Sequence, residues 1–283
     1  MLCSMSFLCT ISDERVIERP VLLVPPADTH KYARGSAMVF SGPALHTGAS
    51  RLTAQAALAV GAGLVTLVGE RDALHEHAAH VTAIMLREED AHLAIVDERV
   101  RAAAIGPGAG VSSHTRDTVM HLLKKGVPLL LDADALTSFE NCPAKLFEHL
   151  HDQIVLTPHE GEFARLFPAI DLADRRTAAR LAAEVSGAVV LLKGPETVVA
   201  APDGRLAVNR HASPWLATAG SGDVLTGLVC GTLAQGHTAF EAACIACWLH
   251  GDIGVQGGPG LTADHMVGLI PLVLAECLSE GKG

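Results

Sequence analysis

Short apolar runs alternate with longer amphipathic segments along almost the whole chain. Residues 37–41, 64–68, 102–105, 127–131, 153–156 and 188–192 carry few polar positions. Runs of that length, apolar without alternation, fit strands buried on both faces of a parallel sheet. Between them, 47–60, 112–124 and 174–185 show helical spacing, and Gly126 followed by Pro128 closes the second of these. Segment 197–209 reads differently. Thr-Val-Val-Ala-Ala, a Pro-Asp-Gly turn and Arg-Leu-Ala-Val-Asn predict a hairpin, and hence an antiparallel pair at one side of the sheet. From Ser221 onward the pattern is almost wholly helical. No repeat, low-complexity tract or linker interrupts the series, which predicts one α/β domain in three layers.

In such a sheet ligands sit beyond the carboxyl ends of the strands, and that is where the chemically active residues gather. Strand 102–105 runs into Gly106-Pro107-Gly108-Ala109-Gly110, and strand 127–131 into Asp132-Ala133-Asp134. Strand 153–156 ends in Thr157-Pro158-His159-Glu160-Gly161-Glu162, and strand 188–192 in Lys193-Gly194. Each alone has a bland reading: Asp132 and Asp134 as turn and cap residues, His159 as a loop histidine, Lys193 as a solvated strand end. Their shared position at one rim predicts a site.

The run Ala217-Thr218-Ala219-Gly220-Ser221-Gly222-Asp223, followed by an apolar helical stretch, reads as an anion site. Gly220 and Gly222 permit a tight turn and close approach, so free amides at the helix start would point at a phosphate. The alternative is a plain Ser/Gly helix entry. Asp223 would repel phosphate unless it had a task such as accepting a proton.

Composition narrows the choice of ligand. The 283 residues are 49% hydrophobic but only 4% aromatic, so the core is expected from Ala, Val, Leu and Ile, with few stacking platforms for bases. A net charge of -10 disfavours nucleic acid, leaving a small phosphate ligand held by amides and a few cations. The odd set of cysteines (Cys3, Cys9, Cys142, Cys230, Cys244, Cys247, Cys277) suggests reduced thiols and a cytoplasmic protein, with the Cys244/Cys247 pair in core packing. Residues 1–11 lack a basic start before their apolar run, and no segment is apolar enough to span a membrane. His75-Glu76-His77-Ala78-Ala79-His80 lacks the i, i+4 spacing of a helical zinc site and is expected as a solvated helix face. The charges of 87–90 are expected at the surface.

Taken in order, the motifs resemble one branch of the ribokinase-like superfamily, the nucleotide-dependent NAD(P)H-hydrate dehydratases. Ala217 to Asp223 resembles the superfamily's anion hole. His30-Lys31-Tyr32-Ala33-Arg34-Gly35, Thr47-Gly48-Ala49, Gly61-Ala62-Gly63-Leu64-Val65, Gly106-Pro107-Gly108, Leu131-Asp132-Ala133-Asp134-Ala135-Leu136, Thr157-Pro158-His159-Glu160-Gly161-Glu162, Leu192-Lys193-Gly194 and His250-Gly251 are similar to the branch's other motifs. Ser41-Gly42-Pro43 departs from the family's Gly-Gly-Ser. The epimerase domain to which the family is often fused has no room in these residues.

The resemblance implies a ribokinase-like three-layer α/β/α domain over 30–283 with a mostly parallel central sheet, behind an N-terminal extension, 1–29. It implies return of hydrated NADH or NADPH, the S epimer of the 6-hydroxy form, to the reduced cofactor. The hydroxyl would be phosphorylated and phosphate eliminated, with ADP or ATP as co-substrate and ADP favoured. Asp223 would be the base, with Gly220, Ser221 and Gly222 in the anion hole. Ala49, Gly108, His159 and Asp223 would contact the hydrated cofactor; Lys193, Gly194, Pro195, Glu196, Thr197 and Gly222 the nucleotide. Glu162 would hold Mg²⁺ through water. A homo-oligomer, a tetramer by resemblance, is expected, with no nucleic-acid or membrane partner. A small-molecule kinase of the thiazole or pyridoxine type shares the anion hole and is the alternative; a non-catalytic nucleotide-binding regulator is a third.

Overall fold

The apolar runs pair into one 10-stranded sheet in a computed structural model, which describes residues 14–22, 24–90, 96 and 98–279. In chain order the strands are β1 (Glu14–Val16), β2 (Ser36–Phe40), β3 (Leu64–Gly69), β4 (Met85–Glu88), β5 (Ala102–Ile105), β6 (Leu129–Leu131), β7 (Ile154–Leu156), β8 (Val189–Leu192), β9 (Thr197–Ala200) and β10 (Leu206–Asn209). Across the sheet they lie β1-β10-β9-β8-β7-β6-β5-β2-β3-β4. From β8 to β4 every pair is parallel, and the expected hairpin, β9 with β10, adds the antiparallel pairs.

Alternate residues of the parallel strands enter opposite layers. Leu130, Ala102, Ala104, Ala37 and Val39 pack on one side; Leu129, Leu131, Ala103, Ile105, Met38 and Phe40 on the other. Both faces are therefore buried, as runs without alternation require. The first layer is built by α1 (Gly48–Ala59), α8 (Ser221–Ala234), α9 (Ala239–Gly257) and α10 (Ala263–Ser279), whose apolar residues join one cluster. The second holds α3 (Ser113–Lys125), α4 (Ala133–Thr137), α5 (Pro143–Phe147), α6 (Glu160–Leu166) and α7 (Arg175–Ser186). Small residues let α1 and α8 approach closely. A Cβ on Gly227 would lie 2.3 Å from Thr53 O.

Two edge strands escape a pattern search. β1 pairs in parallel with β10, and β4 with β3, yet β1 is exposed throughout and β4 has no buried residue, so neither carries an apolar run. Arg87 and Glu88 of β4 are exposed, as expected of those charges, whereas Glu89 and Asp90 are half-buried. The reading of 1–11 lies outside the described residues, as do Cys3 and Cys9. Cys230, Cys244 and Cys247 sit in or against the core, and burial pushes Cys230 and Cys244 up to about 12, so the C-x-x-C is packing. Among the described residues no helix is long and apolar enough to cross a membrane.

The strand order reverses between β2 and β5, since the chain runs outward through β3 and β4 and then returns to the other side of β2. This switch point is where a doubly wound sheet opens a crevice.

Candidate active site

At the switch point the loops after β2 and β5 touch. A Cβ on Gly42 would lie 1.7 Å from Gly108 O, so only glycine fits. A Cβ on Gly108 would lie 3.5 Å from that of Ala49, which brings together two residues expected to contact one ligand. Asp134 Oδ2 accepts from Gly110 N at 2.8 Å and so holds the turn after β5.

The histidine-rich segment corrects an expectation. In α2 (Arg71–Ala78) and the residue positions just after it, His75 and His80 are exposed, but His77 is fully buried, its Nε2 2.9 Å from Ser41 Oγ. Burial pushes the His77 imidazole down to about 4. Glu76 accepts from Leu45 N at 2.9 Å and from Thr47 Oγ1 at 3.0 Å. The segment fastens the loop that delivers Ala49, a role that side-chain spacing along one helix does not reveal.

Two aspartates follow β6 on either side of Ala133, which takes φ 45. This is a costly conformation for a residue with a Cβ, and it sends the two side chains to separate tasks. Asp132 is 2% exposed. Its Oδ1 lies 2.7 Å from Lys193 Nζ, and its Oδ2 accepts from Thr226 Oγ1 at 2.7 Å. Lys193 Nζ also lies 3.7 Å from Glu162 Oε2. Its ammonium is held above the ordinary lysine range: burial works against the charge, and Asp132, Glu162 and Asp223 outweigh it. Arg175 Nη2 donates to Leu192 O at 3.3 Å and Lys193 O at 2.9 Å, clamping the strand end that carries the lysine.

His159 and Glu162 form a reciprocal cap on α6. His159 Nδ1 accepts from Gly161 N at 2.9 Å and Glu162 N at 3.2 Å, while Glu162 Oε2 accepts from His159 N at 2.8 Å. With Nδ1 accepting, the ring proton belongs on Nε2, which lies 3.5 Å from Glu162 Oε1 on the exposed side of the ring. Glu162 is 7% exposed, and among the described residues no group of three or more His, Cys, Asp or Glu side chains could hold a metal ion. Such a set suits Mg²⁺ carried on phosphate oxygens and water, not a protein cage.

The run Ala217 to Asp223 leads into the start of α8. Gly220 is the N-cap at φ 84, and no side chain caps the helix. Ser221 N donates to Thr218 O at 3.3 Å, whereas the amides of Gly220, Gly222 and Asp223 find no protein acceptor among the described residues. A Cβ on Gly220 would lie 2.7 Å from Ala263 Cβ; on Gly222 its nearest neighbour is Lys193 Nζ at 3.9 Å. Free amides, the positive end of α8 and the Lys193 ammonium thus converge on open space. Burial, with Asp132 second, raises Asp223 to about 6; Lys193 opposes this and Asp134 adds to it. A carboxylate in that range is a competent base near neutrality.

A cleft of about 740 Å³ adjoins this point, lined by His159, Lys193, Gly194, Pro195, Thr197, Ser221, Gly222 and His250, with Ser213, Pro214 and Leu216 along its wall. Glu196 is not in the lining; its carboxylate pairs with Arg176 at 2.7 Å and Arg210 at 3.1 Å. Gly108 and Ala49 stand apart from this cleft at the switch point. Thr226 and Arg175 were not singled out in the sequence. Thr226 hides in an apolar helix, and each acts on a residue distant in the chain.

Among solved structures, the chain is similar to an ADP/ATP-dependent NAD(P)H-hydrate dehydratase from Bacillus subtilis, co-crystallised with ATP and Mg²⁺. The TM-score is 0.81 at 26% identity, covering 94% of this chain and 99% of that one. It shares its fold with a ribokinase-like superfamily protein from Enterococcus faecalis, at TM-score 0.81, 23% identity and coverage of 93% and 96%. It is 37% identical over 253 residues to an ADP-dependent (S)-NAD(P)H-hydrate dehydratase from Neisseria meningitidis serogroup B, covering 86% of this chain and 84% of that protein. The chain spans about half the length of the curated bifunctional NAD(P)H-hydrate repair enzymes that it also matches. The three-layer sheet is thus a ribokinase-like fold, and because the model for NAD(P)H-hydrate dehydratase matches residues 37–278, the chain belongs to the NAD(P)H-hydrate dehydratase family.

Proposed function

We propose that the chain dehydrates the S epimer of hydrated NADH or NADPH at the expense of a nucleotide, ADP in preference to ATP. The observation that carries this is the pairing of a half-buried carboxylate raised to about 6, Asp223, with free helix-start amides beside the Lys193 ammonium. A base and an anion site at one point serve transfer of a phosphoryl group to a hydroxyl.

Hydroxide leaves a ring carbon poorly, and phosphate leaves readily. Asp223 accepts the proton of the C6 hydroxyl as that oxygen takes the terminal phosphoryl group of the nucleotide, giving AMP from ADP. The C6–O bond then breaks, the ring nitrogen supplying electrons and C5 losing a proton, and the reduced nicotinamide and phosphate are formed. Amides of Gly220 and Gly222 stabilise charge on the transferring group, while the Ser221 amide, expected beside them, is turned to Thr218 O at 3.3 Å. Lys193, Gly194, Pro195, Thr197 and Gly222 hold the nucleotide, and Glu196 acts on that loop through its arginines. Ala49, Gly108, the His159 Nε2–H and Asp223 hold the hydrated ring. Glu162 would hold Mg²⁺ through water, and the ion would supply neutralisation of phosphate charge. The working unit is a homo-oligomer, a tetramer.

The kinase alternative differs in what leaves the enzyme. Incubation with hydrated NADH and ADP, followed by product separation, is expected to yield NADH, AMP and inorganic phosphate. A stable phosphate ester with no NADH would assign the site to a kinase instead.

A further inference from the structure

His250 projects from α9 into the wall of the cleft that Ser221 and Gly222 also line. Its Nε2 lies 3.0 Å from the Ser221 carbonyl oxygen and 3.0 Å from Ser221 Oγ. A carbonyl only accepts, so Nε2 carries the proton. Burial pushes the imidazole down to about 4, so the ring is neutral and holds no second proton. One N–H shared between two oxygens fills a lone pair on each, and the Ser221 hydroxyl keeps its own proton to give away. That hydroxyl stands in the first turn of α8 beside the free amide of Gly222.

We propose that His250 is a positioning residue for the anion site: its Nε2–H pins the first turn of α8 through Ser221 and turns the Ser221 hydroxyl toward the phosphoryl group of a bound nucleotide. This rests on the nucleotide reading above. Serine hydroxyls near a helix start turn readily onto nearby backbone groups, and a donor pinned from behind is withheld from that competition. The site then offers one more preorganised donor than its amides alone.

The test is ADP affinity by calorimetry for wild type, His250→Met, His250→Gln, Ser221→Ala and the double variant His250→Met/Ser221→Ala. Methionine fills the space without a donor, and glutamine restores one. His250→Met is expected to weaken ADP about tenfold, as loss of one buried hydrogen bond does, with His250→Gln within about threefold of wild type. The double variant is expected to bind no more weakly than His250→Met, because both changes remove the same donor. An affinity for His250→Met within twofold of wild type, or losses that multiply in the double variant, would overturn the proposal. Long-range ¹H–¹⁵N NMR of the wild type decides even where a variant does not fold: an Nε2–H tautomer supports the proposal, and an Nδ1–H tautomer or an imidazolium overturns it. Wild-type protein that binds no ADP would instead sink the nucleotide reading, which an unchanged His250→Met beside a normal wild type would leave standing.

Discussion

Asp132 Oδ1 and Lys193 Nζ lie 2.7 Å apart, and the other oxygen of the same carboxylate accepts a hydrogen bond from the Thr226 hydroxyl at 2.7 Å. One buried group thereby ties the ends of β6 and β8 to the helix whose start forms the anion site. Asp132→Asn keeps the shape and removes the charge that ranks second in raising Asp223. The nucleotide KM is expected to rise as Lys193 loses its counter-charge, and the acid limb of kcat/KM to move to lower pH. An acid limb and KM both unmoved in a pH–rate profile would reduce Asp132 to packing.

Asp223→Asn removes the base, and turnover is expected to fall by about 10²- to 10⁴-fold with little change in nucleotide affinity. The wild type should gain activity as pH rises through about 6, where Asp223 gives up its proton. The sign for stability is opposite. A carboxylate whose folded pKa is raised favours the fold when protonated, so its ionisation destabilises the native state as pH rises from the ordinary carboxylate range through about 6. Asp223→Asn is therefore expected to melt above wild type at neutral pH, the gap closing in acid. Melting curves across pH check it; a variant less stable than wild type at every pH would contradict the burial argument.

His159 has separable tasks on its two ring nitrogens. His159→Ala loses the cap on α6 as well as the Nε2 donor, and is expected to cost about 1 kcal/mol of stability together with activity. His159→Asn restores a capping oxygen, so its melting temperature should return toward wild type while activity stays low. Full recovery of turnover in His159→Asn would show that His159 serves the helix alone.

Gly220 and Gly222 make opposite demands. A Cβ on Gly220 would lie 2.8 Å from Leu52 Cδ1 at φ 84, so Gly220→Ala is expected to disturb folding. Gly222 faces open space, and Gly222→Val should leave melting near wild type while abolishing turnover, since displacing the phosphoryl group costs at least the ~3–4 kcal/mol of one preorganised donor. Ser221→Ala should lose far less than Gly222→Val. The reverse ranking, measured as kcat, would replace the backbone amides with a hydroxyl as the principal anion ligand.

The central strands, the hairpin and the rim were legible because each rests on local pattern: buried runs, a Pro-Asp-Gly turn, and polar residues at strand ends. β1 and β4 were not, because an edge strand with exposed side chains is specified by backbone pairing, not by apolar content. His77 was misread for a related reason. Its burial depends on Ser41, 36 positions away, and nothing within α2 records that partner. The same holds for Asp132, whose bonds reach 61 positions to Lys193 and 94 to Thr226; its spacing beside Asp134 looked like a turn. Ala133, at φ 45, has no residue type that advertises a left-handed backbone.

The most direct test of the central claim is recovery of the NADH absorbance band when purified protein is mixed with the S epimer of hydrated NADH. With ADP and Mg²⁺ present, absorbance is expected to return with one AMP and one phosphate formed per NADH, and neither omission of the nucleotide nor Asp223→Asn should allow more than a trace of it. Recovery at the same rate without any nucleotide, or in Asp223→Asn, would contradict phosphorylation by a base-assisted anion site as the source of the activity.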